Sequence, residues 1–168
     1  MRELGFVGIK IHPAQHQVLP EDPRYDPVWR LAAERGLPIV THSWARSDHN
    51  PSQRFATPER FESRIARFPA VKLILAHAGG RYEGHVEAAR LAQRYANVYL
   101  DLSGDVYSLG LVEWLVAQVG ADRILFGSDA VWIDPRTRLA AVLDSDISLD
   151  AKVSILGGNA CRLFGLGL

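Results

Sequence analysis

One cysteine and one methionine occur in 168 residues. A lone Cys161 excludes an intrachain disulfide framework and a structural zinc cage built on paired cysteines. Charge of either sign is not in surplus, since 19 Lys+Arg stand against 19 Asp+Glu. Neither a nucleic-acid backbone nor an anionic membrane surface is therefore an expected partner. No apolar run approaches the roughly 20 residues that cross a bilayer. The first residues also lack the charged-then-apolar layout of a secretory leader, so a cytoplasmic location is expected. A dinucleotide fingerprint is absent as well: Gly79-Gly80 with Gly84 does not match GxGxxG. What is present is 48% hydrophobic and 23% charged residues, the makeup of one globular domain over residues 1–168.

One phrase recurs five times: a helix end, a short turn, an apolar strand, then a polar residue where the strand runs out. The strands are read at Phe6 to Ile11 before His12, Leu37 to Val40 before Thr41-His42, and Val71 to Ala76 before His77. Two more are Val98 to Leu102, carrying Asp101 and followed by Ser103, and Ile124 to Phe126 before Gly127-Ser128-Asp129. Short, almost continuously apolar runs rich in Val, Ile and Leu suit parallel strands buried on both faces. Between them lie helical signals. Asp26-Pro27 opens one helix and Gly36 closes it, with Val28, Leu31 and Ala32 inward. Thr57-Pro58 opens another, with Phe61, Ile65 and Phe68 on one face and Arg60, Arg64 and Arg67 read as its solvated face. Val86, Ala89, Ala92 and Ala96 mark a third, and Leu109, Val112, Leu115, Val116 and Val119 a fourth. A short helix is expected around Arg138 to Leu143, and a last one from Ser148 with Val153, Leu156, Ala160 and Leu163 inward.

Strand and helix in alternation define an α/β class with a parallel sheet. From His12 to Asp129 the strand-to-strand steps average roughly 30 residues, whereas a complete eight-unit barrel needs about 250. The chain holds five to six βα units. A small doubly wound sheet accommodates that number, but its glycine fingerprint is the feature already found missing. Arg2 to Leu4, closed by Gly5, reads as the last turn of a helix, which suggests the rear portion of something longer.

In parallel α/β folds, polar residues at the carboxyl ends of strands meet at the ligand crevice or barrel mouth. Here they are His12, His42, His77, Asp101 with Ser103, and Asp129. Imidazoles plus a carboxylate without thiolates suit a catalytic divalent metal, zinc or manganese, whose open position holds an acidified water. Each residue also has a plain reading: His42 hydrogen-bonded within the rim, His12 capping its strand end, Asp129 capping the next segment. Lys10 shares a strand face with His12 and points either into a barrel interior or to solvent. Asp101 and Ser103 are read as hydrogen-bonding supports behind the site. Trp44 and Trp132 follow rim residues and either wall an apolar or aromatic substrate or pack in the core. His16, His49 and His85 sit in loop or helix-start contexts, and Cys161 reads as a small buried apolar residue.

The blocks Gly8-Ile9-Lys10-Ile11-His12-Pro13, Gly36-Leu37-Pro38-Ile39-Val40-Thr41-His42, Leu73-Ile74-Leu75-Ala76-His77-Ala78-Gly79-Gly80, Asn97-Val98-Tyr99-Leu100-Asp101, Arg123-Ile124-Leu125-Phe126-Gly127-Ser128-Asp129 and Gly158-Asn159-Ala160 together resemble the amidohydrolase superfamily. The resemblance is to its family 2 branch of metal-dependent hydrolases and decarboxylases and covers essentially the whole chain. It implies a (β/α)8 barrel of which these are strands four to eight. It further implies His42 as a metal ligand, His77 as the histidine that meets metal-bound water or substrate, and Asp129 as metal ligand and general base. The substrate expected is a small molecule, bound with help from His12, Trp44 and Trp132. The first-strand His-x-His pair of that family is nowhere in the chain; Lys10-x-His12 is the nearest pattern and belongs to another strand. The leading expectation is thus the C-terminal part of a metal-dependent hydrolase or decarboxylase. Its rivals are a non-catalytic remnant serving as a binding or interaction module, with open sheet edges that recruit a second copy, and a self-contained doubly wound ligand-binding domain.

Overall fold

The computed structural model describes residues 5–167, so the helix end expected across Arg2 to Leu4 lies outside the described residues. The elements in order are β1 (Ile9–Ile11), α1 (Pro13–His16), α2 (Asp26–Arg35), β2 (Ile39–His42), α3 (Glu62–Arg67), β3 (Leu73–Ala76), α4 (Glu83–Arg94), β4 (Val98–Asp101), α5 (Leu111–Val119), β5 (Ile124–Leu125), α6 (Pro135–Leu143), α7 (Leu149–Val153) and α8 (Asn159–Phe164). The strand order is β1-β2-β3-β4-β5 and every neighbouring pair is parallel. Because spatial order follows chain order, every crossover advances one strand in the same direction. A doubly wound sheet would reverse direction at a switch point; this sheet is instead an open arc of a (β/α) barrel.

Register decides what each strand residue faces. Ile9, Ile39, Leu73 and Val98 align in one row, and Ile11, Thr41, Leu75, Leu100 and Ile124 in another. Most of these side chains join Trp29, Ile65, Leu91 and Leu115 in the core between sheet and helices. The period of two sends Lys10, Val40, Ile74 and Tyr99 to the opposite face. There Ile74 and Leu125 pack with Leu163, and Val40, Tyr99, Ala160 and Phe164 lean on them, so α8 closes part of the inner face.

That last helix does a second job. A π-helical turn, Ser154–Gly158, separates α7 from α8. Such a wide turn frees carbonyls from the helical ladder, and the Ile155 carbonyl accepts the Phe126 N–H at 2.8 Å. Asn159 Nδ2 then donates to the carbonyls of Ala121 (2.7 Å) and Ile124 (2.6 Å). The free edge expected at Ile124 to Phe126 is therefore covered by the chain's own C-terminal segment. The opposite edge strand, β1, is only three residues long and starts at Ile9 rather than Phe6.

Other expectations are corrected by the packing. Arg64 does not belong to a solvated face: it is 3% exposed, its guanidinium donating to the carbonyls of Pro20, Glu21 and Asp22 and pairing with Asp26. Burying a guanidinium requires that degree of satisfaction. Val86 and Leu109, marks of the third and fourth helices in the sequence, and Val153, read as inward, are exposed. In α4 the buried face is instead built on Gly84, His85, Ala88, Ala89, Leu91 and Ala92. Trp29, absent from the expected stripe of α2, is fully buried. Cys161 is only partly buried.

Removing the Asn159 amide takes the donor from the Ile124 carbonyl at the foot of β5, while the Ala121 carbonyl keeps the Ile124 N–H. Asn159→Ala is expected to cost about 1–3 kcal/mol in urea unfolding, and a loss below about 0.5 kcal/mol would contradict this account of the edge.

Candidate active site

A cavity of about 1050 Å³ opens beyond the carboxyl ends of the strands, and Lys10, His12, His42, Trp44, His77, Asp129 and Trp132 all line it. Each arrives there because its strand ends there. β2 terminates on His42, and β3 hands over to His77 in a tight 3-10 turn, His77–Gly79. His12 caps α1, its Nδ1 accepting the Gln15 N–H at 3.1 Å. Trp132 is 85% exposed, which excludes core packing for it and leaves it as a wall of the cavity mouth.

The rings form one packed array. His12 stacks on His42 with centroids 4.2 Å apart, and His42 and Trp44 lie parallel at 6.1 Å. His77 meets both edge-on, at 4.9 Å from His42 and 5.4 Å from Trp44. Gly80, with φ of 87°, makes that arrangement sterically feasible: a Cβ there would sit 2.5 Å from the Trp44 ring.

A hydrogen-bond chain runs through the array. Gln53 Oε1 lies 2.8 Å from His42 Nε2, His42 Nδ1 lies 3.1 Å from His77 Nε2, and His77 Nδ1 lies 3.0 Å from Ser103 Oγ. Ser103 Oγ donates in turn to Asp101 Oδ1. The same carboxylate oxygen accepts the backbone N–H of His77 (3.1 Å) and of Ser103 (2.8 Å). With Gln53 Oε1 accepting, His42 Nε2 donates to it and His42 Nδ1 accepts from His77 Nε2. Turning the Gln53 amide over reverses both bonds.

Electrostatics favour a neutral His42. Burial pushes His42 down to about 3, partly offset by its bond to Gln53 and reinforced by the nearby His77, His12 and Lys10. Burial lowers His12 as well, and it lowers Lys10 against the opposing pull of Asp101 and Asp129. Lys10 thus faces the inner, cavity side of the sheet. Backbone strain gathers at the same rim: His77 (φ 62°), Ala78 (φ 45°) and Asp129 (φ 61°) hold left-handed conformations without being glycine, each costing about 1–3 kcal/mol. Among the described residues, no three His, Cys, Asp or Glu side chains are grouped as metal ligands. A neutral His42 and a carboxylate at Asp129 have suitable donor chemistry, but both His42 nitrogens are already engaged and a third ligand is lacking. The residues present therefore do not make up a complete metal site.

Gln53, which fixes the His42 ring, carries no signal in the sequence; it comes from a separate 3-10 turn, Pro51–Phe55. His49 lines the cavity too. His16 and His85 do not: His16 Nδ1 bonds the Tyr25 hydroxyl (2.6 Å), and His85 Nδ1 bonds the Ala78 carbonyl (2.8 Å), bracing the turn after His77.

Comparison with known proteins places the chain. The Amidohydrolase model (Amidohydro_2) matches residues 1–166, and the chain belongs to that family. None of the curated proteins compared matches it. A TIM-barrel protein from Bordetella bronchiseptica is 24% identical with a TM-score of 0.83, the match covering 98% of this chain and 59% of that one. The 5-carboxyvanillate decarboxylase of Sphingomonas paucimobilis is 19% identical with a TM-score of 0.76, covering 98% and 60%. A dihydroxybenzoic acid decarboxylase from a Polaromonas species, solved with bound manganese and the inhibitor 2-nitroresorcinol, is 19% identical with a TM-score of 0.70, covering 98% and 62%. At these identities the likeness is one of fold, and the chain spans about six-tenths of each relative.

The depressed His42 has a measurable consequence. The folded protein keeps this ring neutral down to about 3, while an unfolded chain takes up a proton near 6.5. Lowering the pH through that window stabilises the unfolded chain, so the fold loses stability, by at most about 1.4 kcal/mol per pH unit for one imidazole. Urea midpoints at pH 7.5 and 5 are expected to differ in that direction. His42→Gln should make the pH dependence shallower, though not flat, because His12 and His85 are also lowered by burial; an unchanged slope would contradict the assignment.

Proposed function

We propose that the cavity is the small-molecule site of an amidohydrolase-family enzyme that either hydrolyses an amide or ester or decarboxylates a small carboxylic acid. The observation that carries the proposal is the convergence of His12, His42, His77 and Asp129, from four separate strand ends, on one cavity. In this reading Asp129 is the general base, taking the proton from the attacking water in the hydrolytic case. His77, held by Ser103 and Asp101, exchanges its Nε2 contact with His42 for a hydrogen bond donated to the oxygen of the carboxyl-derived group. Lys10 and His12 meet the substrate's charge, while Trp44 and Trp132 flank its apolar body. The manganese of the Polaromonas relative supports a divalent cation, zinc or manganese, as cofactor. His42, on giving up its bond to Gln53 or to His77, and Asp129 are the residues of this chain that would contribute to its coordination, the remaining ligands coming from outside the described residues.

One observation favours a second reading. Without a grouped set of three ligands among the described residues, the chain alone serves as a module that binds a small molecule and does not turn it over.

One experiment separates the two. Turnover of carboxylated phenols, esters and amides is measured with Zn²⁺ or Mn²⁺, for the chain alone and for the chain supplied with a segment carrying a His-x-His pair. Little metal and little turnover are expected alone, with both restored by the segment. Asp129→Asn should then reduce turnover at least ~100-fold, and His77→Asn should reduce it while sparing more of the metal. Undiminished turnover in Asp129→Asn overturns the catalytic assignment. Saturable binding without turnover in every condition establishes the module.

A further inference from the structure

A second cavity, of about 250 Å³, lies between α5 and α6 behind the loop that follows β4. Its walls are mainly apolar, from Leu102, Val106, Leu111 and Val112, yet Arg138 of α6 also lines it. Arg138 is 5% exposed and has no carboxylate within ion-pair distance among the described residues. Its Nη1 donates to the Val106 carbonyl, its guanidinium carbon lies 4.6 Å from the centre of the Tyr107 ring, and its Nε has no partner. A carbonyl and an aromatic face only partly compensate a guanidinium taken out of water.

A second positive feature points into the same space. Helix α5 begins at Leu111 behind Gly110, and no side chain caps its first turn. Leu111, whose N–H is bonded to the Ser108 carbonyl, and Val112 both line the cavity, and they bring the positive end of a nine-residue helix to its wall. A buried guanidinium with no ion-pair partner within reach and a helix start with no side-chain cap lie on the wall of one mainly apolar cavity, an arrangement suited to a singly charged anion.

We propose that this cavity binds a small organic monocarboxylate, its carboxylate forked by Arg138 and the start of α5 and its apolar body held among Leu102, Val106 and Val112. The planar guanidinium fork matches a carboxylate. Asp144 also lines the cavity, and its charge selects against a dianion such as phosphate. The site is separate from the rim cavity, but the two share a loop. Ser103, at one end of it, bonds His77, and a Cβ on Gly104 would lie 2.5 Å from His77 Nδ1, whereas Val106 and Tyr107 wall the second cavity.

The test uses methyl and histidine NMR signals of the whole chain, titrated with benzoate, benzamide and inorganic phosphate. Benzoate should give saturable shifts at Leu102, Val112 and Ala141, with smaller shifts at the His77 ring. Arg138→Met should weaken benzoate at least ~10-fold, the scale of one charge-assisted hydrogen-bonded pair. Ala141→Leu, a substitution on an exposed helix face, should block binding by filling the cavity and leave Arg138 in place, which keeps the test decisive if Arg138→Met fails to fold. Absence of benzoate shifts, equal binding of benzamide, or tighter binding of phosphate than benzoate would each overturn the proposal.

Discussion

The Asp101 carboxylate is the tie on which the rim depends. A single oxygen, Oδ1, accepts the backbone N–H groups of His77 and Ser103 and the Ser103 hydroxyl, and so joins the end of β3 to the end of β4. That bond holds His77 in a left-handed conformation no free chain would favour. Space around the carboxylate is tight: a Cβ on Gly127 would lie 3.1 Å from the same oxygen, so the start of the segment leading to Asp129 is also shaped by Asp101. From this anchor the order passes outward through Ser103, His77 and His42 to Gln53, and the stacked His12 and Trp44 complete it.

The frame that presents these groups follows from simple constraints. Five parallel strands in chain order bring every strand's carboxyl end to one side, and the uniform direction of the crossovers curves the sheet. An arc has two edges, and the two are treated differently. β5 is covered by the π-helical turn and Asn159, whereas β1 is kept to three residues. Short strands and covered edges both limit pairing with foreign chains.

Much of this was legible in the sequence. The strand ends at His12, His42, His77, Asp101 and Asp129 could be read because an apolar run that stops at a polar residue is a local pattern, and five such runs impose a parallel α/β order. The period of two put Lys10 on the face of His12 but left interior and solvent open, and the cavity lining settles it as inner. What escaped was long-range. Arg64 looks like any surface arginine in its helix, and only the carbonyls of Pro20, Glu21 and Asp22, some forty residues away, make its burial tolerable. Gln53 becomes the partner of His42 through an intervening loop with no periodicity. Trp29 is buried because α2 is rotated from its expected stripe, and the π-helical turn appears only where β5 needs an acceptor. Amidohydrolase membership is established by the match over residues 1–166, whereas the roles of the rim residues rest on geometry.

The claim at the centre is that His42 and His77 behave as one hydrogen-bonded unit anchored on Asp101, with His42 neutral. Long-range ¹H–¹⁵N correlation spectra of ¹⁵N-histidine-labelled protein, recorded from pH 8 to 4, test it directly. The account predicts that His42 does not titrate in that range and that Ser103→Ala shifts the His42 ring nitrogens, although Ser103 reaches them only through His77. A His42 that titrates near 6.5 and ignores Ser103→Ala would contradict it.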